Sequence, residues 1–292
     1  MQDFAGRVAV ITGGASGIGL GLARRLGAEG MHVVIGDVER PALDAAVADL
    51  TAAGVDVVGV SCDVTDADQM QSLADTTMDR FGAVHVFCNN AGVGGGGLSW
   101  ETPLSMWDWV LGVNLWGVIH GIRSFVPILV QQDAAHIVNT ASVAGLVAAP
   151  MMGPYNASKH AVVALSETLH HEFAIVGTAA RVSVLCPGWV RTNIATSERN
   201  RPAPAGAGSA SDAGDVVGMD AEQQTELGRQ VLAGMIANGM QPDDVAAQVV
   251  DAIRAERFWV LTHDGDDSWM RAVDSRLQSA VDRTNPQLNL LA

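Results

Sequence analysis

The sequence predicts an α/β fold: a doubly wound parallel sheet of about seven strands with helices on both faces, formed as a single domain over residues 1–292. Three observations carry this expectation. Short runs rich in β-branched residues alternate with helical stretches nearly to the end of the chain, the pattern of βαβ crossovers. The runs are apolar at consecutive rather than alternate positions, as strands buried on both faces must be. A glycine-rich turn, Thr12-Gly13-Gly14-Ala15-Ser16-Gly17-Ile18-Gly19, lies between the first run and the first helix.

Taken in order, Arg7–Thr12 is the first strand, and a helix runs from about Ile18 to Glu29, closed by Gly30. Met31–Gly36 is the second strand. Pro41 then stands where a first helical residue tolerates it and opens a helix to about Ala53. Val55–Ser61 is the third strand, followed by a helix over Asp66–Phe81 with Thr65 or Asp66 as its cap. Val84–Cys88 is the fourth strand, running into Asn89-Asn90-Ala91-Gly92 and a flexible loop with four glycines, Gly94–Gly97. Pro103–Gln132 is one long helix that Pro127 bends near its end. Ala135–Thr140 is a strand, Pro154–Ala174 a helix and Arg181–Cys186 a strand. Arg201–Gly218, rich in Pro, Ala, Gly and Ser, is the one compositional break. A helix near Asp220–Asn238 follows it, then a helix over Pro242–Arg254, a short strand Phe258–Thr262 and a terminal helix Asp267–Asp282.

Composition narrows the function. Hydrophobic content of 48% and charged content of 17% fit a globular core. A net charge of −15 with scattered arginines argues against a nucleic-acid partner, which requires clustered cations. Cys62, Cys88 and Cys186 sit in apolar runs without metal-ligand spacing, so buried free thiols in a reducing compartment are expected. No apolar run reaches membrane-spanning length and the first residues do not resemble a signal peptide, so a cytoplasmic protein without a membrane partner is expected.

Tyr155 is the only tyrosine of the chain and Lys159 its only lysine. They stand four apart, where a helix places them on one face. A free phenol titrates at about pH 10, and a fixed ammonium nearby stabilises phenolate and makes it a usable proton acceptor. An ordinary surface pair at this spacing is the alternative. The glycine turn reads as a dinucleotide site: the glycines admit a pyrophosphate to the backbone, and the helix N-terminus supplies N–H groups and dipole. Asp37, about 20 residues beyond the turn, can accept hydrogen bonds from ribose hydroxyls and would repel the extra phosphate of NADP. Neither Ser16 nor Val38 is basic. NAD is therefore the expected cofactor and NADP the less favoured one, with Arg40 the residue able to reverse that preference.

With these motifs in place, the chain resembles the short-chain dehydrogenase/reductase family, a Rossmann-type fold, over nearly its whole length. Gly13, Gly17 and Gly19 match the family's T-G-x-x-x-G-x-G, which places Ser16 and Ile18 in the cofactor turn. Cys62-Asp63-Val64 resembles the adenine-contacting segment, with Asp63 and the Val64 backbone on the base. Asn89-Asn90-Ala91-Gly92 is the family's N-N-A-G, which puts Asn90, Ala91 and Gly92 on the ribose side. Pro187-Gly188-Trp189-Val190-Arg191-Thr192 is similar to P-G-x-V-x-T, with Thr192 and the Val190 backbone on the nicotinamide amide. Asn114, Ser142, Tyr155 and Lys159 match the four catalytic positions.

The resemblance implies interconversion of a secondary alcohol and a ketone. Tyr155 would act as acid/base, Lys159 would lower its pKa and hold ribose hydroxyls, Ser142 would fix the substrate oxygen, and Asn114 would relay protons through water. It implies no metal, and a homotetramer or homodimer. His170-His171-Glu172 reads as a solvated helix face, and Trp100, Trp107, Trp109 and Trp116 as packing or an interface. The segment 193–240 is expected to be a substrate-binding lid over a bulky apolar alcohol or ketone, with residues 263–292 as a C-terminal helix and tail. An NADPH-dependent ketoreductase on acyl or polyketide substrates and a nucleotide sensor without turnover are the competing readings.

Overall fold

In a computed structural model that describes residues 1–202, 234–263 and 267–286, the apolar runs assemble into one seven-stranded sheet. The elements are β1 (Val8–Thr12), α1 (Gly17–Ala28), β2 (His32–Asp37), α2 (Arg40–Ala52), β3 (Val57–Ser61), α3 (Ala67–Phe81) and β4 (Val86–Asn89). They continue as α4 (Leu104–Leu111), α5 (Gly117–Leu129), β5 (Ala135–Thr140), α6 (Gly153–Val176), β6 (Ala180–Cys186), α7 (Pro242–Arg254), β7 (Trp259–Leu261) and α8 (Asp267–Asp282). The strand order is β3-β2-β1-β4-β5-β6-β7, with every pairing parallel. The order reverses between β1 and β4, and open sheets bind ligands beyond the carboxyl ends of the strands at such a point.

Alternate residues of each strand feed two cores. Ala9, Ile11, Val33 and Ile35 pack with Leu22 and Leu26 of α1, Leu43 and Leu50 of α2, and Val249 and Ile253 of α7. Val10, Val34, Phe87 and Ile137 point the other way, to Met70 and Leu73 of α3, Phe125 of α5 and Leu169 of α6. Asp66 caps α3, its carboxylate accepting from the N–H groups of Asp68 and Gln69. The three cysteines are buried and unpaired, and burial pushes each thiol up to about 12.

The expected single helix over Pro103–Gln132 is divided. A π turn, Gly112–Trp116, joins α4 to α5, and α5 ends at Leu129, two residues after Pro127. The extra residue of a π turn keeps Asn114 buried at 0% exposure while the glycines that follow face the sheet. A Cβ at Gly117 would come within 2.8 Å of the Val64 side chain, and one at Gly121 within 2.1 Å of Asn89 Oδ1. Gly121→Ala is therefore expected to cost about 3 kcal/mol, the upper end of overpacking effects, read as a lower urea midpoint.

The Gly94–Gly97 loop differs from the flexible segment expected. Gly94 N–H donates to Ser197 Oγ at 3.0 Å and Gly97 N–H to Met151 O at 2.8 Å. A Cβ at Gly96 would lie 2.2 Å from Met151 O. These glycines provide close approach rather than freedom. Of the expected lid, residues 203–233 lie outside the described residues, as does most of the helix read over Asp220–Asn238.

Candidate active site

Gly153-Pro154 opens α6 and puts Tyr155 and Lys159 on its inward face, one helical turn apart. Both are buried, Tyr155 at 8% and Lys159 at 3% exposure. Lys159 Nζ donates to Thr140 O at the end of β5, at 2.9 Å, and lies 5.6 Å from the centre of the Tyr155 ring. Ser142 starts a 3-10 turn just beyond β5; its hydroxyl accepts from Ala144 N–H at 3.1 Å and donates to Pro187 O at 3.4 Å. Asn114 is held on three sides: Oδ1 accepts from Val93 N–H at 2.8 Å, and Nδ2 donates to Val93 O at 3.0 Å and Ser158 Oγ at 3.2 Å. No hydrogen bond joins Asn114 to Lys159 among the described residues. Both approach the bare face of Gly92, where a Cβ would meet Asn114 Oδ1 at 3.4 Å and Lys159 Nζ at 3.5 Å.

Electrostatics here departs from the expected lowering of the tyrosine. Burial pushes the Tyr155 phenol above its ordinary value, opposed by a hydrogen bond with Ser142. Burial also pulls the Lys159 ammonium down from 10.5 to about 8. A low-dielectric interior disfavours both charged forms, against the hydrogen bond of Ser142 at Tyr155 and the charge of Cys186 at Lys159.

The residues expected to hold a dinucleotide gather at the switch point. Gly13 and Gly17 adopt φ of +64° and +51°, and Cβ atoms there would meet Ala91 Cα at 2.9 Å and Thr192 Cγ2 at 3.0 Å. A Cβ at Gly19 would lie 2.1 Å from Gly13 O. Ser16 begins α1 without a capping side-chain bond, and no acidic residue stands in the first turn, so those N–H groups face the cleft uncapped. Asp37 ends β2 and accepts from Ala15 N–H and Glu39 N–H, both at 3.0 Å. Burial raises its pKa, the backbone donors opposing. Arg40 donates to Asp44 at 2.8 Å.

Asn90 Nδ2 donates to Thr12 O at 3.0 Å, and Thr12 Oγ1 accepts from the N–H groups of Asn90 and Ala91, joining β1 to β4 beneath the cleft. Asp63 Oδ1 accepts from Thr65 N–H and Oγ1 at 2.9 and 2.8 Å, and Val64 O from His120 at 2.9 Å. Gly188 N–H donates to Thr262 Oγ1 at 3.3 Å, and Val190 pairs with Met240. The site thus unites Asn114, Ser142, Tyr155 and Lys159 on one side with the glycine turn and Asp37 on the other.

Sequence reasoning passed over Ser158, whose hydroxyl ties Asn114 to Tyr155 O at 2.7 Å, and Asn156, whose Nδ2 holds Ala149 O at 2.6 Å. Both lie between or beside the two singled-out residues of α6, which was the available signal. His170, His171 and Glu172 are exposed on α6. Trp109 is buried with Val93, Met106 and Val110, whereas Trp100 and Trp116 are exposed. Among the described residues no helix is long and apolar enough to cross a membrane.

Residues 7–203 match the short chain dehydrogenase family model. The chain is 43% identical over 260 residues to a 1-deoxy-11-beta-hydroxypentalenate dehydrogenase of Streptomyces exfoliatus, covering 88% of this chain and 83% of that one. A short chain dehydrogenase/reductase from Burkholderia phymatum, solved in complex with NAD, superposes with a TM-score of 0.90 at 43% identity and covers 98% of both chains. An actinorhodin polyketide ketoreductase solved with NADPH gives a TM-score of 0.72 at 31% identity, covering 91% of this chain and 100% of that one. By the match of its family model, its relatives and its seven-stranded fold, the chain belongs to the short-chain dehydrogenase/reductase family and is an oxidoreductase acting on CH–OH groups.

Proposed function

We propose that this enzyme interconverts a secondary alcohol and a ketone with NAD, Tyr155 serving as the acid/base. The observation that carries this is the convergence of Ser142, Tyr155 and Lys159, all buried, on the strand ends that also present Asp37 and the glycine turn. The residues fit a dinucleotide. The glycine backbone leaves a cradle that side chains would fill, and the buried Lys159 ammonium, with three donors, has only Thr140 O as acceptor among the described residues. That leaves donors for ribose hydroxyls. When bound, the nicotinamide supplies the hydride acceptor or donor.

The chain's own groups do the rest. In oxidation Tyr155 Oη takes the hydroxyl proton; in reduction it returns one to the carbonyl oxygen. Ser142 Oγ, fixed by Ala144 N–H and Pro187 O, holds the substrate oxygen against the phenol. Thr140 O holds Lys159 beside the ring, and Asn114, locked by Val93 and Ser158, keeps the neighbouring wall in place. Because burial raises Tyr155, the phenol is the resting form at neutral pH, ready to donate.

Two observations support NAD. Asp37 presents a carboxylate where a 2′-phosphate would sit, and Arg40 is turned to Asp44. The ketoreductase solved with NADPH favours the second reading, and an absorbance assay with both dinucleotides separates them. Replacing Asp37 with Ser and Val38 with Arg is expected to shift the kcat/KM ratio about a hundredfold toward NADP, since like charges at a contact cost several kcal/mol. A parent that already uses both equally would sink the preference. For the substrate, Trp189 and Met240 flank Val190, whose stretch is read as facing the nicotinamide, and these large side chains support a bulky, mainly apolar compound; small polar alcohols turning over faster than alicyclic ones would overturn that. Exposed Trp116 on the α4–α5 connection supports a homo-oligomer joined through this face.

A further inference from the structure

Glu39 and Arg199 are 160 residues apart in sequence and stand on opposite sides of the cleft. Glu39 precedes α2, two residues beyond β2; Arg199 belongs to a 3-10 segment, Ile194–Asn200, after β6. In the sheet, β1, β4 and β5 separate β2 from β6, a span of roughly 19 Å at ordinary strand spacing. The arginine nevertheless engages the carboxylate with both arms of its fork, Nε to Oε2 at 3.2 Å and Nη2 to Oε1 at 2.5 Å. Asn200 Nδ2 adds a bond to Oε1 at 2.8 Å. The remaining nitrogen, Nη1, is fastened to Thr196 O at 2.9 Å, Thr196 Oγ1 at 3.1 Å and Asn193 O at 3.3 Å. The fork is therefore fixed on its own segment before it meets Glu39. These bonds, Arg199's first, hold the Glu39 carboxyl below its ordinary pKa.

The same segment is fastened to the intervening walls. Gly94 N–H donates to Ser197 Oγ at 3.0 Å, Arg201 to Ser105 Oγ at 2.8 Å, and Thr192 lies against Gly17. The glycine turn and the Asn90-Ala91-Gly92 stretch, which follow β1 and β4, thus lie between the two anchor points. Glu39 also donates its N–H to Asp37 Oδ1 at 3.0 Å, coupling the bridge to the carboxylate read as the ribose ligand.

We infer that Glu39 is a positioning residue for the dinucleotide: through Arg199 and Asn200 it clasps the segment after β6 over the cofactor, and opening of this clasp times cofactor exchange. This rests on the dinucleotide reading above. A ligand extending from Asp37 toward Tyr155 runs beneath the bridge, so its release needs the three bonds to Glu39 to part together. A single half-exposed ion pair is worth little, but a pre-anchored fork sharing one carboxylate with a second donor opens as a unit.

The test is stopped-flow release of NADH, or of NADPH should the parent prefer it, followed by nicotinamide fluorescence during a chase with excess oxidised dinucleotide. Glu39→Gln and Arg199→Gln are each expected to release the ligand about fivefold faster, with Arg199→Lys, which keeps charge but not the fork, in between. The double variant should release no faster than either single one, since the two act through each other. Added salt should speed release from the parent and not from the variants. Parent-like release in both single variants, additive acceleration in the double one, or an unchanged salt response would overturn the clasp while leaving the cofactor reading intact. A parent that binds neither dinucleotide overturns both.

Discussion

Tyr155→Phe is expected to lower kcat by about 10²- to 10⁴-fold, the range that positioned proton transfer contributes, while dinucleotide affinity stays within a few-fold of the parent. The ring is buried and its packing survives the loss of one oxygen; what disappears is the group proposed to exchange a proton with the substrate oxygen. The pH profile makes the test specific. Burial raises the Tyr155 pKa, so in the parent the phenolate needed for alcohol oxidation accumulates as pH rises, and kcat/KM for oxidation climbs toward alkaline pH. Carbonyl reduction uses the phenol and falls over the same range. The residual rate of the Phe variant should lose this dependence. Activity near the parent's, or an unchanged profile, would remove Tyr155 from the role.

Lys159→Met should divide function from stability. Turnover and dinucleotide affinity are both expected to fall, because the ammonium beside the phenol and its free donors are gone. The cofactor-free fold is expected to become more stable at pH 7. A folded-state pKa of about 8 against an ordinary 10.5 means that the fold disfavours the charge. Below about pH 8 the lysine is charged in both states and the whole cost is present. Between the two values the unfolded chain holds a proton that the fold has shed, so stability recovers as pH rises, and above them the cost is gone. A gap of this size corresponds to roughly 3 kcal/mol, less about 1 kcal/mol for the lost bond to Thr140 O. The gain from Met should therefore be on the order of 2 kcal/mol at neutral pH and shrink toward about pH 10. A variant that melts below the parent at pH 7, or a gain that does not change with pH, would contradict this account. Unchanged affinity for the dinucleotide would refute the ribose-holding role.

What the sequence disclosed was mostly local. Strand ends came within a residue or two because buried parallel strands are marked by consecutive apolar residues, as at His32–Asp37 and Ala135–Thr140. The Tyr155–Lys159 pair was legible because one helical turn suffices to bring it together. The π turn was not, since the run from Leu104 to Leu129 stays helix-compatible and only the approach of Gly117 to Val64 and Gly121 to Asn89 requires the added residue. The Thr140 carbonyl that holds Lys159 had no signature, because every residue carries the same backbone acceptor. The bond between Glu39 and Arg199 depends on strand order, which spacing along the chain does not encode. Gly94–Gly97 was misjudged for a related reason: glycine serves mobility and close approach alike, and only the position of Met151 O tells which applies.

The burial of Lys159 gives the molecule an unusual reactivity toward electrophiles. With one lysine in the whole sequence, 3% exposed, the outer surface offers acylating reagents, reductive methylation and acetyl transfer no ε-amine at all. Apart from the chain's amino terminus, any amine-selective reagent that inactivates this protein has acted at this one buried position, inside the proposed active site. Stoichiometric labelling becomes a count of intact sites, and the protection given by each dinucleotide becomes a direct measure of how well it covers the amine.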